Sequence, residues 1–419
     1  MTIMERLTKF SLDRPKTVLG LAVLITVLFA TQLPKVKTDT DPENMLDASQ
    51  EDRVYYDELK EEFGIRDMLV VGIVDEQGIF RSQALTPISQ AIAEIVKVRG
   101  VVIEDVVSLT TTNNVKSGGG LLEIRPPLAG VPTTEAGLAQ VRADIADNPF
   151  LHEKIASADG AAVAIYVPIQ AKDMSYRVSN EIQAILDREL LPHQEYHLAG
   201  LPVAEDTFGH EMFVQMAVVA PITFVVVLIL AFLLFRTGIF LLPLALTAMF
   251  SVVWTMGLLI GAGNTLHIMS SMIPVFLMPI AILDAVHILS EFFDKYRERG
   301  ESRVAVMEAM KPLYRPMFMT SLTSGIGFAS LALADIPPVR VFGLFVAFGI
   351  AAAWLLSITL VPAAISLTSE ERLRKAILSK KTDEGSAFDR VLRPLGRFTY
   401  ARAHIVILVA IGAIALGVM

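Results

Sequence analysis

Asp284 and His287 are the side chains best suited to chemistry, because both lie within a long apolar run. The run reads Pro279-Ile-Ala-Ile-Leu-Asp-Ala-Val-His-Ile-Leu, and Glu291 follows within one further turn. At about 3.6 residues per turn, these three polar groups project from one face of a helix. A charge inside a bilayer costs at least ~2.5 kcal/mol, so such residues are rare and usually functional. The pattern predicts a proton site, and a buried polar pair that only joins helices is the alternative.

The next apolar run carries hydroxyl groups that could contact this site. Thr320, Thr323 and Ser324 recur at helical spacing, and Gly325 and Gly327 would allow another helix to approach closely. A face of small residues used only for packing is the alternative. Burial disfavours the charged form of a carboxyl group, and an imidazole exchanges protons near neutral pH. The candidate proton relay therefore consists of Asp284, His287, Thr320, Thr323 and Ser324.

Composition places these residues in a membrane protein. The 419 residues are 53% hydrophobic and have a mean hydropathy of +0.53, which is too apolar for an ordinary soluble protein. Cysteine is absent, so disulfides, Cys-based metal sites and Cys nucleophiles are excluded. We expect no cofactor and no metal site, and we expect a transporter rather than an enzyme.

The charges divide the chain into two regions of opposite sign. The segment Pro34–Met212, called here the acidic block, has 15 Lys/Arg against 30 Asp/Glu, whereas the rest has a net charge of +7. Basic residues cluster between and after the apolar runs on one predicted side, as the positive-inside rule requires. This predicts a cytoplasmic N-terminus and an external acidic block. Because the block is so acidic, no nucleic-acid partner is expected.

Apolar runs and turn signals divide the chain further. The predicted parts are an N-terminal tail with the first span (Met1–Leu33), the acidic block (Pro34–Met212), five spans (Phe213–Leu367), a cytoplasmic linker (Thr368–Arg397) and the start of a seventh span (Phe398–Met419). Within the acidic block, strands are predicted at Met68–Val74, Val101–Leu109, Ala161–Ile169 and Glu195–Ala199, with helices at Gln83–Val98 and Met174–Leu190. This βαββαβ order is that of a ferredoxin-like α+β domain. The fifty residues that interrupt it predict a loop around Gly118-Gly119-Gly120 and a helix at Glu135–Ala146.

The chain contains an internal echo. Leu395, Phe398, Arg402 and Val406 repeat Leu7, Phe10, Arg14 and Val18 at a constant offset of 388 residues. A chance match between two basic-then-apolar segments is the alternative. The echo favours a parallel repeat of the transporter type, and we expect a second external domain and about five further helices beyond Met419.

Order and motifs together resemble the resistance-nodulation-division (RND) superfamily. The local motifs are similar to its MMPL and predicted-exporter branch, which is related to sterol-sensing-domain proteins. They are Leu283–Phe292 in the fourth span, Thr320–Phe328 in the fifth, Pro338–Ala363 in the sixth, and the entry segment Asp41–Gly64. Ala285 departs from many relatives, which carry Tyr or a second acid there, and His287 could fill that role.

The resemblance implies a helical transporter bundle with a ferredoxin-like periplasmic domain in a bacterial inner membrane. It implies export of a hydrophobic or lipid-like substrate by proton antiport, with Asp284 at the proton-carrying position. The expected partners are that substrate, protons and membrane lipids, with a periplasmic partner protein and a homo-oligomer left open. Two other classes also stay open: a lipid or sterol sensor without transport, and a SecDF-like proton-driven helper of protein translocation.

Overall fold

The computed structural model describes residues 3–118, 121–377 and 387–418, and the chain is mostly helical over these ranges. It begins with the amphipathic helix α1 (Ile3–Asp13) and the apolar helix α2 (Pro15–Ala30). Arg14 separates them, and Pro15 starts α2, where its missing N–H costs nothing.

The acidic block folds around a small antiparallel sheet. Its elements are α3 (Glu51–Glu62), β1 (Met68–Val74), α4 (Ser82–Ile95), β2 (Asn114–Gly118), β3 (Leu121–Arg125), α5 (Glu135–Ala146), β4 (Ala162–Pro168), α6 (Ser175–Glu189) and β5 (Glu195–Ala199). β1 is central, in the order β4-β1-β5, and Val71 lies opposite both Ile165 and Leu198. Alternate residues of β1 are fully buried and share one core with α4 and α6. The predicted strands at the positions of β1, β4 and β5 are therefore confirmed.

The second predicted strand, Val101–Leu109, is wrong as a regular strand. Val101 and Val107 form only isolated antiparallel bridges, to Ile169 and Tyr166, along the free edge of β4. Between them, Ile103–Asp105 makes a 3-10 turn that lifts the chain off the edge. The apolar residues indicated a strand, but the acidic pair Glu104-Asp105 is left exposed in this turn.

The predicted loop around Gly118 is also corrected. β2 and β3 pair as an antiparallel hairpin, with Val115 opposite Ile124, and Gly119-Gly120 between them lie outside the described residues. The hairpin is attached to α5 because Lys116 and Arg125 both form ion pairs with the buried carboxylate of Asp144. Burial opposes ionisation of Asp144, but these cations outweigh it and hold its pKa below the usual range.

Beyond the acidic block the chain is a helical bundle. Its elements are α7 (Leu201–Phe235), α8 (Leu241–Gly261), α9 (Ile268–Ser271), α10 (Ile273–Arg299), α11 (Ser302–Ala329), α12 (Pro337–Leu367), α13 (Glu370–Ile377), α14 (Ala387–Ala401) and α15 (Ala403–Val418). Six helical segments of the described chain are long and apolar enough to cross a membrane. α14 and α15 meet at a bend of 86° and would add a seventh if they form one span. α10 packs against α7, α8, α11 and α12 and so lies inside the bundle.

The first helix after the acidic block starts earlier than predicted. α7 begins at Leu201 rather than Phe213, directly after Gly200, whose φ of +120° ends β5. A Cβ at Gly200 would lie 2.4 Å from the Met68 carbonyl oxygen, so only glycine fits this turn. The 35 residues of α7 extend about 52 Å at 1.5 Å per residue, well beyond the ~30 Å hydrocarbon core. α11 begins at Ser302 and continues through both Pro312 and Pro316.

A cluster of charges joins the acidic block to the bundle. The Lys172 ammonium, on the connection before α6, lies 2.8 Å from Asp41, 3.4 Å from Glu43 and 3.3 Å from Glu205 of α7. The segment around Asp41 also reaches the bundle, since Thr38 bridges to Leu266 and Asp47 pairs with Arg340 at 3.2 Å. We call this set of contacts the junction cluster.

The end of the described chain repeats the beginning in form. α1 and α2 are separated at Arg14, and α14 and α15 are separated at Arg402, which is the same offset of 388 residues. The predicted linker Thr368–Arg397 includes α13 and most of α14, so its described parts are helical. Residues 378–386 of that linker lie outside the described ranges.

Candidate functional site

α10 carries Asp284 to the inside of the bundle. The helix starts with Pro274 near its N-terminus and ends at Gly300, whose φ of +72° gives a left-handed C-cap. Asp284 is 7% exposed, with Ala281, Ala285 and Ile288 of the same helix buried beside it. A carboxyl group is therefore held in an almost entirely apolar environment.

One hydroxyl group contacts this carboxyl group. Ser321 of α11 donates a hydrogen bond from Oγ to Asp284 Oδ2 at 3.2 Å. No Lys or Arg of the described residues forms an ion pair with Asp284. A charge without a paired cation is costly in a water-poor interior, and the arrangement suits a group that alternates between protonated and ionised forms.

The structure brings Ser321 to Asp284, not the three predicted hydroxyl residues. Thr320 and Thr323 are exposed, and their hydroxyl groups donate to carbonyl oxygens of their own helix, those of Pro316 and Met319. Ser324 is half-buried and makes no hydrogen bond to Asp284 within the described residues.

The difference is one residue in helical phase. Met310, Tyr314 and Met317 are the last three buried positions of α11, and continuing their spacing of four and three leads to Ser321. Thr320 is rotated about 100° from that face. Extending the buried face of α11 toward its C-terminus would have identified Ser321. The Thr/Ser/Gly-rich sequence from Thr320 to Gly327 does not itself indicate which side of the helix faces Asp284.

His287 lies on the outer side of α10. It is exposed, and among the described residues it makes no hydrogen bond to Asp284. Three residues correspond to 300° of rotation, so the two side chains share a helix surface but face it about 60° apart. The imidazole is near the carboxyl group along the helix and is not part of the contact with Ser321.

Ser321 also borders an apolar cavity between α11 and α12. The cavity has a volume of about 270 Å³, and its other walls include Phe318, Leu322, Ala351 and Trp354. Phe318 and Trp354 form an edge-to-face pair with centroids 5.6 Å apart, which closes one side. A molecule in this cavity would contact Ser321, which is bonded to Asp284.

Fold and site together define a multi-pass helical membrane protein with a buried carboxyl group in a central span. A family comparison agrees with this class: the model of the MMPL family matches residues 68–404, which is most of the chain. The chain therefore belongs to the MMPL family, whose members are membrane transporters of the RND type. Among curated proteins, none matches the chain.

Proposed function

We propose that this protein exports a hydrophobic or lipid-like molecule across a bacterial inner membrane, driven by proton antiport. The observation that carries the proposal is the buried carboxyl group of Asp284 on α10. It accepts a hydrogen bond from the Ser321 hydroxyl group, and no Lys or Arg of the described residues forms an ion pair with it. Such a group can take up and release a proton during a conformational cycle, and intramembrane acids commonly serve this purpose. His287, exposed on the same helix, is proposed as the group that exchanges protons with it.

The acidic block is proposed to be a periplasmic, ferredoxin-like domain. In space, β5, β1, β4 and the bridged segment around Val101 follow one another, with all neighbours antiparallel. This is the arrangement that the ferredoxin-like βαββαβ order produces when its second strand is irregular. The net charge of the block supports a location opposite the basic loops.

Two alternatives predict different behaviour. A lipid or sterol sensor without transport would keep the bundle and tolerate loss of the Asp284 charge. A SecDF-like helper would bind unfolded polypeptide through the acidic block. The apolar cavity beside Ser321 favours a small hydrophobic substrate over a polypeptide.

Asp284→Asn tests the mechanism. The amide keeps the shape and can still accept from Ser321, but it cannot titrate, so gradient-driven flux of a lipophilic probe in proteoliposomes should fall to background. His287→Ala should lower flux less. Inserted protein and thermal unfolding are measured in parallel, so that loss of folding is separated from loss of coupling. Full gradient-dependent flux from Asp284→Asn would sink the proton-antiport mechanism through Asp284, whereas no gradient-dependent flux from the unchanged protein would favour a sensor.

A further inference from the structure

A groove on the outside of the bundle lies between α2, α8 and α12, at the end where the basic loops gather. It has a volume of about 410 Å³, within the range of small-molecule sites. Its walls are mainly apolar and include Leu19, Leu242, Leu246, Leu360 and Ala364.

The groove is open rather than filled by the protein. Leu242 is 65% exposed, and a Cβ added to Gly238 would meet no atom within 4 Å. Three membrane-spanning helices therefore enclose a trough with room for an apolar chain. Its position along the spans means that the neighbouring molecules are lipids.

One end of the groove is positively charged. Arg372 and Thr368 line that end, and the Thr368 hydroxyl already donates to the Ala364 carbonyl oxygen. Arg372 is exposed, and no acidic side chain of the described residues forms an ion pair with it. Lys16 lies three residues before Leu19 on α2, so it projects from the same face toward the same end.

We propose that this groove is a binding site for one anionic phospholipid of the leaflet on the basic side of the bundle. An acyl chain lies along the leucines of α8 and α12, and the phosphate group is bound by Arg372 with Lys16 nearby. A guanidinium binds phosphate through paired N–H groups, and basic pockets between spans are suited to anionic headgroups. The inference depends on the spans but not on proton-driven transport, so it can fail or succeed independently of the function proposed above.

Native mass spectrometry of the full chain in detergent tests the site with three probes. These are dioleoyl phosphatidylglycerol, dioleoyl phosphatidylcholine and inorganic phosphate. We expect phosphatidylglycerol to occupy one tight site, and Arg372→Glu to weaken its binding by about fivefold or more, given about 1 kcal/mol per basic residue near a membrane surface. Arg315→Glu is the matched control, because Arg315 is exposed on α11 outside the groove. It should leave the affinity unchanged.

Two filling variants test the apolar part. Ala364→Trp and Gly238→Leu both place bulk into the groove, and each should remove the tight phosphatidylglycerol site while the protein keeps its unfolding temperature. Equal binding of phosphatidylcholine, or equal losses in Arg372→Glu and Arg315→Glu, would overturn recognition of the headgroup. Binding of inorganic phosphate but not of phosphatidylglycerol, unaffected by Ala364→Trp, would show a simple anion site and overturn the lipid proposal. A dimer mass that disappears in Ala364→Trp would show that a second copy fills the groove, which also overturns the proposal.

Discussion

Ser321 is the residue that sequence reasoning missed beside Asp284, at the candidate proton site. The type of residue was predicted correctly, since a hydroxyl group of α11 does bond to Asp284, but the position was displaced by one residue. Residue type follows from chemistry: a buried carboxylate needs a donor. Position depends on which face of α11 packs inward, and this was set by Tyr314 and Met317, outside the hydroxyl-rich stretch itself.

Ser321→Ala should therefore slow gradient-driven flux more than any other hydroxyl removal on α11. A hydrogen bond to a charged group contributes about 1.5–3 kcal/mol, so a loss of about tenfold or more is expected if this bond forms in the rate-limiting state. Ser321→Thr keeps the donor and should retain most of the flux. Thr320→Ala and Thr323→Ala are the matched controls, since their hydroxyl groups bond within their own helix. Equal losses in all three alanine variants would contradict a specific role of Ser321.

At the scale of elements, strands with buried alternation were predicted well and the others were not. β1 and β5 have the predicted bounds because they pair in the sheet and their side chains fit its pattern. The β2–β3 hairpin was not predicted, because its apolar residues Val115, Leu122 and Ile124 are exposed rather than buried. The contacts that fix it, from Lys116 and Arg125 to Asp144, join residues distant in sequence, and local patterns do not contain that information.

The junction cluster makes a prediction at this scale. Lys172→Met leaves Asp41, Glu43 and Glu205 without their shared cation, and Glu205 is only 6% exposed. The free energy of unfolding should fall by about 1–3 kcal/mol, and the midpoint of thermal unfolding by several degrees. Lys154→Met is the control, since Lys154 is exposed and its side chain forms no ion pair within the described chain. The same shift in both variants would show that the loss is not specific to the cluster.

The pH dependence of the junction cluster follows from Asp41. Burial opposes its ionisation, but the Lys172 ammonium and the Glu43 N–H outweigh this and hold the pKa of Asp41 below its usual value. Burial opposes the charge of Lys172, but its hydrogen bond to Asp41 and the nearby carboxylates of Asp67 and Glu205 outweigh this and hold the pKa of Lys172 well above its usual value. A lowered carboxyl pKa stabilises the fold above about pH 4 and loses that contribution as pH falls through the folded-state value. Asp41→Asn should therefore flatten the acid limb of thermal stability below about pH 4. If the acid limb is unchanged in Asp41→Asn, the loss of stability at low pH is caused by other carboxylates.

At the scale of the whole molecule, composition was the best predictor of the number of membrane spans. Apolar length and charge bias are summed over many residues, so an error at one position does not change the number of spans. The six candidate spans and the break at Arg402, 388 residues after the break at Arg14, follow the pattern read from the sequence. Helix starts were less predictable, because α7 and α11 extend beyond the apolar residues that define a span. Their extra turns are held by tertiary contacts such as the bond from Lys172 to Glu205.

The sidedness of the molecule gives the last prediction. The chain contains no cysteine, so a single introduced thiol reports its own location without competition. Phe150→Cys lies in the acidic block at a position that is 79% exposed, and Lys311→Cys lies at an exposed position near the start of α11. In intact spheroplasts, a membrane-impermeant maleimide should label the first and not the second, because the basic loops are retained on the cytoplasmic side. After lysis both should react, which serves as the control for accessibility. Labelling of Lys311→Cys alone before lysis would reverse the topology and place the acidic block in the cytoplasm.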